Sequence, residues 1–240
     1  MSGADGTICA MRLLAFDTST DWISVAVSDG DEWHLHAERV AQENSRRILP
    51  IISRTLAEAG FALQALDGIA FGAGPGAFTG VRIACGIAQG LGFAIDRPMV
   101  GVSTLEALAH QAFRVHGVER VVACLDARMR EVYAACYVRE RDAWRVVREP
   151  AVMAPVALAL PDAGPWHGAG DGFAAYPDLV ERLELASVDS NAMPSARAIG
   201  ELALRRFAAG EAVSAAEARP FYVRHRVALT TAERDAGLRL

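Results

Sequence analysis

The sequence predicts an α/β protein built as two related lobes. Strand-like runs alternate with helix-period segments, and after Ser103 the order of strands and helices begins again. Between them, GAGPGAFTGVRIACGIAQG at 72–90 sits between a buried strand and a helix of small residues. α/β proteins keep ligand turns or their tightest packing at such a place. The 240 residues, 52% of them hydrophobic, suffice for one large domain or two small lobes with a true core.

The elements follow in order. Residues 1–10 read as a flexible extension. Arg12–Phe16 is apolar and ends at Asp17-Thr18-Ser19-Thr20. Trp22–Ser28 alternates, Asp29-Gly30-Asp31 is a turn, and Glu32–Glu38 is a third strand, which together predict an antiparallel meander. Ser45–Ala59 carries Ile48, Leu49, Ile51, Ile52 and Leu56 as the stripe of an amphipathic helix stopped by Gly60. Leu66–Gly72 and Pro98–Val102 read as buried strands flanking a helix over Phe78–Ala94. The second lobe predicts a helix over Thr104–Val115 and strands over Val121–Leu125, Glu131–Arg139 and Trp144–Glu149. A glycine-rich loop over Pro165–Gly172 and a helix over Ala196–Ala209 complete it. The lobes divide as 11–103 and 104–219, and 220–240 reads as a frayed tail.

Composition excludes some functions. A net charge of −5 argues against an all-over basic nucleic-acid surface. Arg46, Arg47, Arg54 and Arg82 form a modest basic strip that reads as a solvated face. Cys9, Cys85, Cys124 and Cys136 form no CxxC, which suits reduced, mostly buried thiols of a cytoplasmic protein. The first residues lack the pattern of a signal peptide, and no apolar run reaches the ~18 residues a membrane span needs.

The glycine run matches neither GxGxxG nor the P-loop. Residue types favour a packed turn over a phosphate cradle. Pro75 pre-sets one torsion, Gly76 supplies positive φ, Thr79 caps the helix, and Gly86 and Gly90 share a helix face. Asp17 to Thr20 reads as a solvated turn, with a phosphate or metal site as the alternative. His34 and His36 read as surface histidines of one strand, His110 and His116 share no helix face, and His167 and His225 stand isolated. Asp126-Ala127-Arg128 either fixes a hairpin turn or faces a cleft between the lobes. GxSxG and HExxH are absent.

LLAFDTSTDWISVAV, RRILPII, the run from Gly72 to Ala109, LDARMREVYAACY, HGAGDGFAAY, PSARAIGELA and ARPFYVRHRVA together resemble the TsaB family, also called YeaZ, over residues 11–227. The resemblance implies an actin-like ASKHA fold, ribonuclease H-like in each lobe. It implies a part in making threonylcarbamoyladenosine on tRNA, as a non-catalytic subunit. Its partner would be the paralogue TsaD, which transfers the threonylcarbamoyl group to the adenosine beside the anticodon, with the ATPase TsaE as a third member. ATP and metal would then sit on partner subunits, tRNA would be met mainly through the complex, and the chain alone would form a homodimer. The family also carries an M22 glycoprotease label, so a nucleotide-binding transferase or M22-like peptidase is the alternative.

Site residues carried over by the resemblance fall in two groups. Ile48, Ile52, Arg82, Gly86 and Gly90 would form the partner interface, with Ala84 and Ala88 adding small residues for close helix crossing. Asp17, Thr18, Ser19, Gly74, Pro75 and Gly76 would be a vestigial nucleotide-side loop. Thr104 and Leu108 stand where TsaD carries the two metal-binding histidines of its HxxxH helix, and neither replaces imidazole. Asp126-Ala127-Arg128-Met129 stands where TsaD has a Gly-Gly-His phosphate loop. Asn44 takes the place of a frequent histidine, as a helix cap, and Ala77 that of a usual serine.

Overall fold

The computed structural model describes residues 11–30, 32–40 and 43–223. The N-terminal extension, Asp31 and most of the tail lie outside the described residues. The expected meander forms: β1 (Leu13–Asp17) pairs antiparallel with β2 (Trp22–Ser28), which pairs antiparallel with β3 (Trp33–Arg39). After α1 (Asn44–Glu58), β4 (Gly68–Gly74) returns parallel to β1. α2 (Phe78–Ile95) then crosses to β5 (Met99–Ser103), parallel to β4. The sheet order is β3-β2-β1-β4-β5.

Beyond α3 (Thr104–His116), the second sheet repeats the first strand for strand. β6 (Arg120–Arg128), β7 (Glu131–Glu140) and β8 (Ala143–Met153) form an antiparallel meander. β9 (His167–Ala169) pairs parallel with β6, and β10 (Ser187–Asp189) pairs parallel with β9. The order β10-β9-β6-β7-β8 is the first sheet's order with each strand advanced by five. This internal repeat is invisible in the residues.

Packing follows the two-residue period of the strands. Leu14 and Phe16 on β1 face α1 and α2, in a core with Ile48, Ile52, Ala84 and Ala88. Leu13 and Ala15 face the opposite side, where α6 (Ala196–Ala208) supplies Ile199, Leu202 and Ala203. In the second lobe Val121, Ala123 and Leu125 face α3, whereas Val122 and Cys124 face Trp166, Phe173 and Leu179. Phe173 belongs to α4 (Gly172–Ala175) and Leu179 to α5 (Asp178–Arg182). Cys85, Cys124 and Cys136 are buried and free.

Several expectations are corrected. Pro165–Gly172 is not a loop, because it contains β9 and opens α4. Three-residue strands are too short to show a period, and β10 is missed for the same reason. α6 also leaves the second sheet to cover the first, with its Ala196 amide donating to Ser24 Oγ at 2.8 Å. The chain after it stays on the first lobe: Val213 pairs with Met99, Ala215 and Ala218 enter the core, and Phe221 N donates to Ala73 O at 2.7 Å. Residues 220–223 are therefore anchored rather than frayed. Finally, α2 is by length and composition apolar enough to cross a membrane, although its Ala84, Cys85 and Ala88 pack into the first lobe's core.

α6 approaches the first sheet closely at Gly200, where an added Cβ would lie 2.3 Å from the Trp33 ring. Gly200→Val forces that indole off β3 and should cost about 2–3 kcal/mol, read as a lower urea midpoint at unchanged slope.

Candidate functional site

The two lobes enclose a cleft of about 610 Å³ lined by both meander turns. On the first-lobe side the glycine run is pressed onto the Asp17–Thr20 turn. A Cβ at Gly72 would meet Asp17 Oδ1 at 1.9 Å, one at Gly76 would meet Ser19 O at 2.6 Å, and one at Gly80 would meet Thr18 O at 2.0 Å. Hydrogen bonds close the same contact: Thr18 Oγ1 donates to Gly80 O at 2.7 Å, and Ala77 N donates to Ser19 O at 2.7 Å. Asp17, Thr18 and Ser19 are all buried.

Local expectations shift accordingly. Positive φ falls on Gly74, at 104°, rather than on Gly76, and the Gly74–Pro75 peptide is cis. Gly76 is required by its approach to Ser19 instead. Thr79 does not cap α2, because the N-cap residue is Ala77 and no side-chain cap bond forms. Asn44 does not cap α1 either. It lies buried one residue inside the helix, with Nδ2 donating at 3.3 Å to both Thr18 O and Thr20 O. Its amide ties α1 to the turn.

Asp17 is the one strongly perturbed carboxyl of this turn. Burial pushes its pKa up to about 6, against the lowering effect of Ser19, whose N and Oγ donate to Oδ2 at 2.9 and 2.8 Å. Oδ1 is buried without a hydrogen-bond partner. Burying an ionised, half-satisfied carboxylate opposes folding.

The second-lobe wall is acidic. Asp126, near the end of β6, faces the cleft and accepts from Arg128 N at 2.9 Å, with Arg128 Nη1 3.0 Å from Oδ2. Its own amide donates to Asp171 Oδ1 at 2.9 Å, and Asp171 lies in the glycine-rich turn after β9. Burial raises the Asp171 pKa, and the nearby Asp126 charge adds to the rise. The charged segment at Asp126 therefore does both things weighed for it: it fixes its turn and it faces the cleft. Asp171 was missed because its strand was missed.

These residues do not fit a polyphosphate. On one wall the space over Gly76 and Gly80 is filled by Ser19 and Thr18, and the Ala77 amide is taken by Ser19 O. On the other, Asp126 and Asp171 stand where a phosphate would bring like charge. The positions matched to a metal helix are equally committed. Thr104 is buried and donates to Pro75 O, and Leu108 is buried in the second lobe's core. Among the described residues no group of three or more His, Cys, Asp or Glu is placed to hold a metal ion. His110 accepts from Trp144 Nε1 at Nδ1 and meets Glu201 Oε2 at 2.9 Å through Nε2, which places its proton on Nε2. His116 and His167, distant in sequence, lie with ring centres 5.0 Å apart. His36 pairs with Arg54 and Glu38 on the surface.

The partner-facing residues separate. Ile48 and Ile52 are buried in the chain's own core, as are Ala84 and Ala88. They seat the helices and offer no contact surface. Gly86 and Gly90 face outward, with no atom within 4 Å of an added Cβ. On the same helix Phe78 and Phe93 are exposed, and Leu49 of α1, counted in the buried stripe from the sequence, is exposed as well. Arg82 is exposed but engaged: Nε donates to Tyr222 Oη at 2.9 Å and the guanidinium lies 3.8 Å over Phe78. The basic strip is largely paired, Arg47 with Glu38 and Glu43, Arg54 with Glu58.

Two topologically identical sheets, helices sandwiched between them and turns facing across a cleft define an actin-like, two-lobed protein. A family model described as tRNA N6-adenosine threonylcarbamoyltransferase, TsaD, matches residues 35–225. The "tRNA threonylcarbamoyladenosine biosynthesis protein TsaB" of Escherichia coli is 40% identical, over 91% of this chain and 96% of that protein. Its Haemophilus influenzae counterpart is also 40% identical, over 90% and 95%. A solved structure titled "YeaZ from Pseudomonas aeruginosa" superposes with a TM-score of 0.83 at 45% identity, covering 88% of this chain and 99% of that one. A second, described as similar to peptidase YEAZ from Pseudomonas aeruginosa, gives 0.84 at 44%, covering 89% and 100%. The chain belongs to the TsaB (YeaZ) family.

Because the folded pKa of Asp17 lies above its ordinary 3.8, its favourable contribution is complete below about pH 4 and is lost as pH rises through about 6. Asp17→Asn retains an acceptor for Ser19 and removes the titration. It should gain stability relative to the parent between pH 4.5 and 7.5 by about 2 kcal/mol, measured by urea unfolding at both pH values. A second expectation concerns Gly80→Ala. The methyl meets a backbone carbonyl that cannot move aside, so the melting temperature should fall by several degrees.

Proposed function

We propose that this chain is a non-catalytic subunit that pairs with TsaD and activates it for threonylcarbamoyl transfer to the adenosine beside the anticodon of tRNA. The observation that carries this reading is the outer face of α2. Gly86 and Gly90 leave room for close approach of a second helix, and Phe78 and Phe93 on the same helix, with Leu49 on α1, are exposed apolar side chains. α1 and α2 are seated on the sheet by Ile48, Ile52, Ala84 and Ala88, so the face is rigid before a partner arrives.

The site chemistry supports the absence of turnover by the chain itself. Thr104 and Leu108 give no imidazole, and both are committed to structural contacts. The turn of Asp17, Thr18, Ser19, Gly74, Pro75 and Gly76 is the remnant of a nucleotide-side loop whose close approaches now hold α2 in place. ATP and metal then belong to the partner subunits, with TsaE as the third member. tRNA is met through the assembly, which the pairing of Arg47 and Arg54 with acids on this surface favours. The same α2 face supports a homodimer when TsaD is absent, in the cytoplasm.

The deciding test mixes the chain with its cognate TsaD, then adds TsaE and ATP, following mass by light scattering and modification of tRNA. A one-to-one pair and modification that requires this chain are expected. Turnover of nucleotide or peptide by the chain alone, lost on changing Asp17, would instead make it an enzyme. Gly86→Leu or Gly90→Leu should weaken the pair at least tenfold while the urea midpoint stays unchanged, since neither added side chain meets an atom of this chain near its Cβ.

A further inference from the structure

α2 carries one cation, Arg82, and no acid. At 3.6 residues per turn, Phe78, Arg82, Gly86, Gly90 and Phe93 fall within about 120° of the helix circumference, and all of them are exposed. Arg82 is held on this arc from two sides. Its guanidinium lies 3.8 Å over the Phe78 ring, and Nε donates to Tyr222 Oη at 2.9 Å. Among the described residues it has no ion pair and its Nη groups have no acceptor. Tyr222 comes from the segment after α6, which is fastened along the same flank of α2. Gln89 Nε2 donates to Ala218 O at 3.2 Å, Phe221 N donates to Ala73 O at 2.7 Å, and a Cβ at Gly74 would lie 2.9 Å from Phe221 O. The backbone of that segment thus places the hydroxyl that fixes Arg82. A free surface arginine loses much rotamer freedom on binding, whereas this one is ordered beforehand.

A fixed guanidinium covered by a second helix needs a carboxylate opposite it, because desolvating it unpaired is costly. A second copy of this chain offers none on α2. The acids at the two ends of its α1, Glu43 and Glu58, already face Arg47 and Arg54. We propose that Arg82, positioned by Tyr222, selects a different protein over a second copy of this chain: it accepts a partner whose crossing helix presents an Asp or Glu to the Nη groups. The inference rests on the reading that the α2 face meets TsaD, and it names the chemistry TsaD must bring there. Two copies can still pair through the apolar side chains, but with Arg82 buried unsatisfied at the contact.

The test measures two associations of the full chain by sedimentation, with itself and with its cognate TsaD. Arg82→Met keeps the apolar stem and removes the charge. It should weaken the TsaD pair about tenfold and tighten self-association about threefold. The parent's TsaD pair should also weaken between about 0.1 and 0.5 M salt, more steeply than that of the variant. Tyr222→Phe keeps the ring and frees Arg82. It should weaken the TsaD pair about threefold in the parent and leave it unchanged in the Arg82→Met background, a coupling that a merely structural tyrosine would not show. Loss of both associations in Arg82→Met, or of neither, overturns the proposal. Gly86→Leu separates the two levels of the argument. If it breaks the TsaD pair while Arg82→Met does not, the face is right and the selection by Arg82 is wrong. If the TsaD pair survives both substitutions, or never forms, the reading of the face falls and the inference falls with it.

Discussion

The structure depends on one contact, the seating of the α2 entry on the Asp17–Thr20 turn. Thr18 O lies so close to Gly80 that a methyl group there has no room, and Thr18 Oγ1 bonds back to the Gly80 carbonyl. The same turn holds α1 through Asn44. Both outer helices of the first lobe are thus positioned by four consecutive residues. The cost is a buried carboxyl at Asp17 with one unpartnered oxygen. That cost is tolerated because Oδ2 organises Ser19, whose carbonyl receives the α2 entry through Ala77.

A phosphate cradle and a packed turn use glycine for the same physical reason: a side chain would block close approach of something to the backbone. Here the approaching group is protein. Once Ser19 and Thr18 occupy that space, the loop positions a helix, and the helix presents its outer face. On the second lobe, two aspartates, Asp126 and Asp171, stand at the cleft wall. The duplicated topology sets the two meander turns facing each other across the cleft.

Charge on the outer surface follows a similar logic. The arginines of α1 make a basic strip in sequence, yet β3 brings Glu38 against Arg47, and helix spacing brings Glu58 to Arg54. On α2 the exposed cation Arg82 is held against Tyr222 and Phe78, beside the exposed apolar side chain of Phe93.

The sequence by itself determined the meander, α1, α2, α3 and α6, because these elements carry long periods and clear stops. It also shows that positions 104 and 108 carry a threonine and a leucine, neither of them an imidazole. Only the tertiary structure decided which glycine needs positive φ, that Ile48 and Ile52 face inward while Phe93 faces out, and that Asp171 joins Asp126 on one wall of the cleft. Each of these turns on a second element brought from far along the chain. Strands of three residues and the inward or outward sense of an all-apolar helix have no local signature. Their placement is fixed by what packs against them.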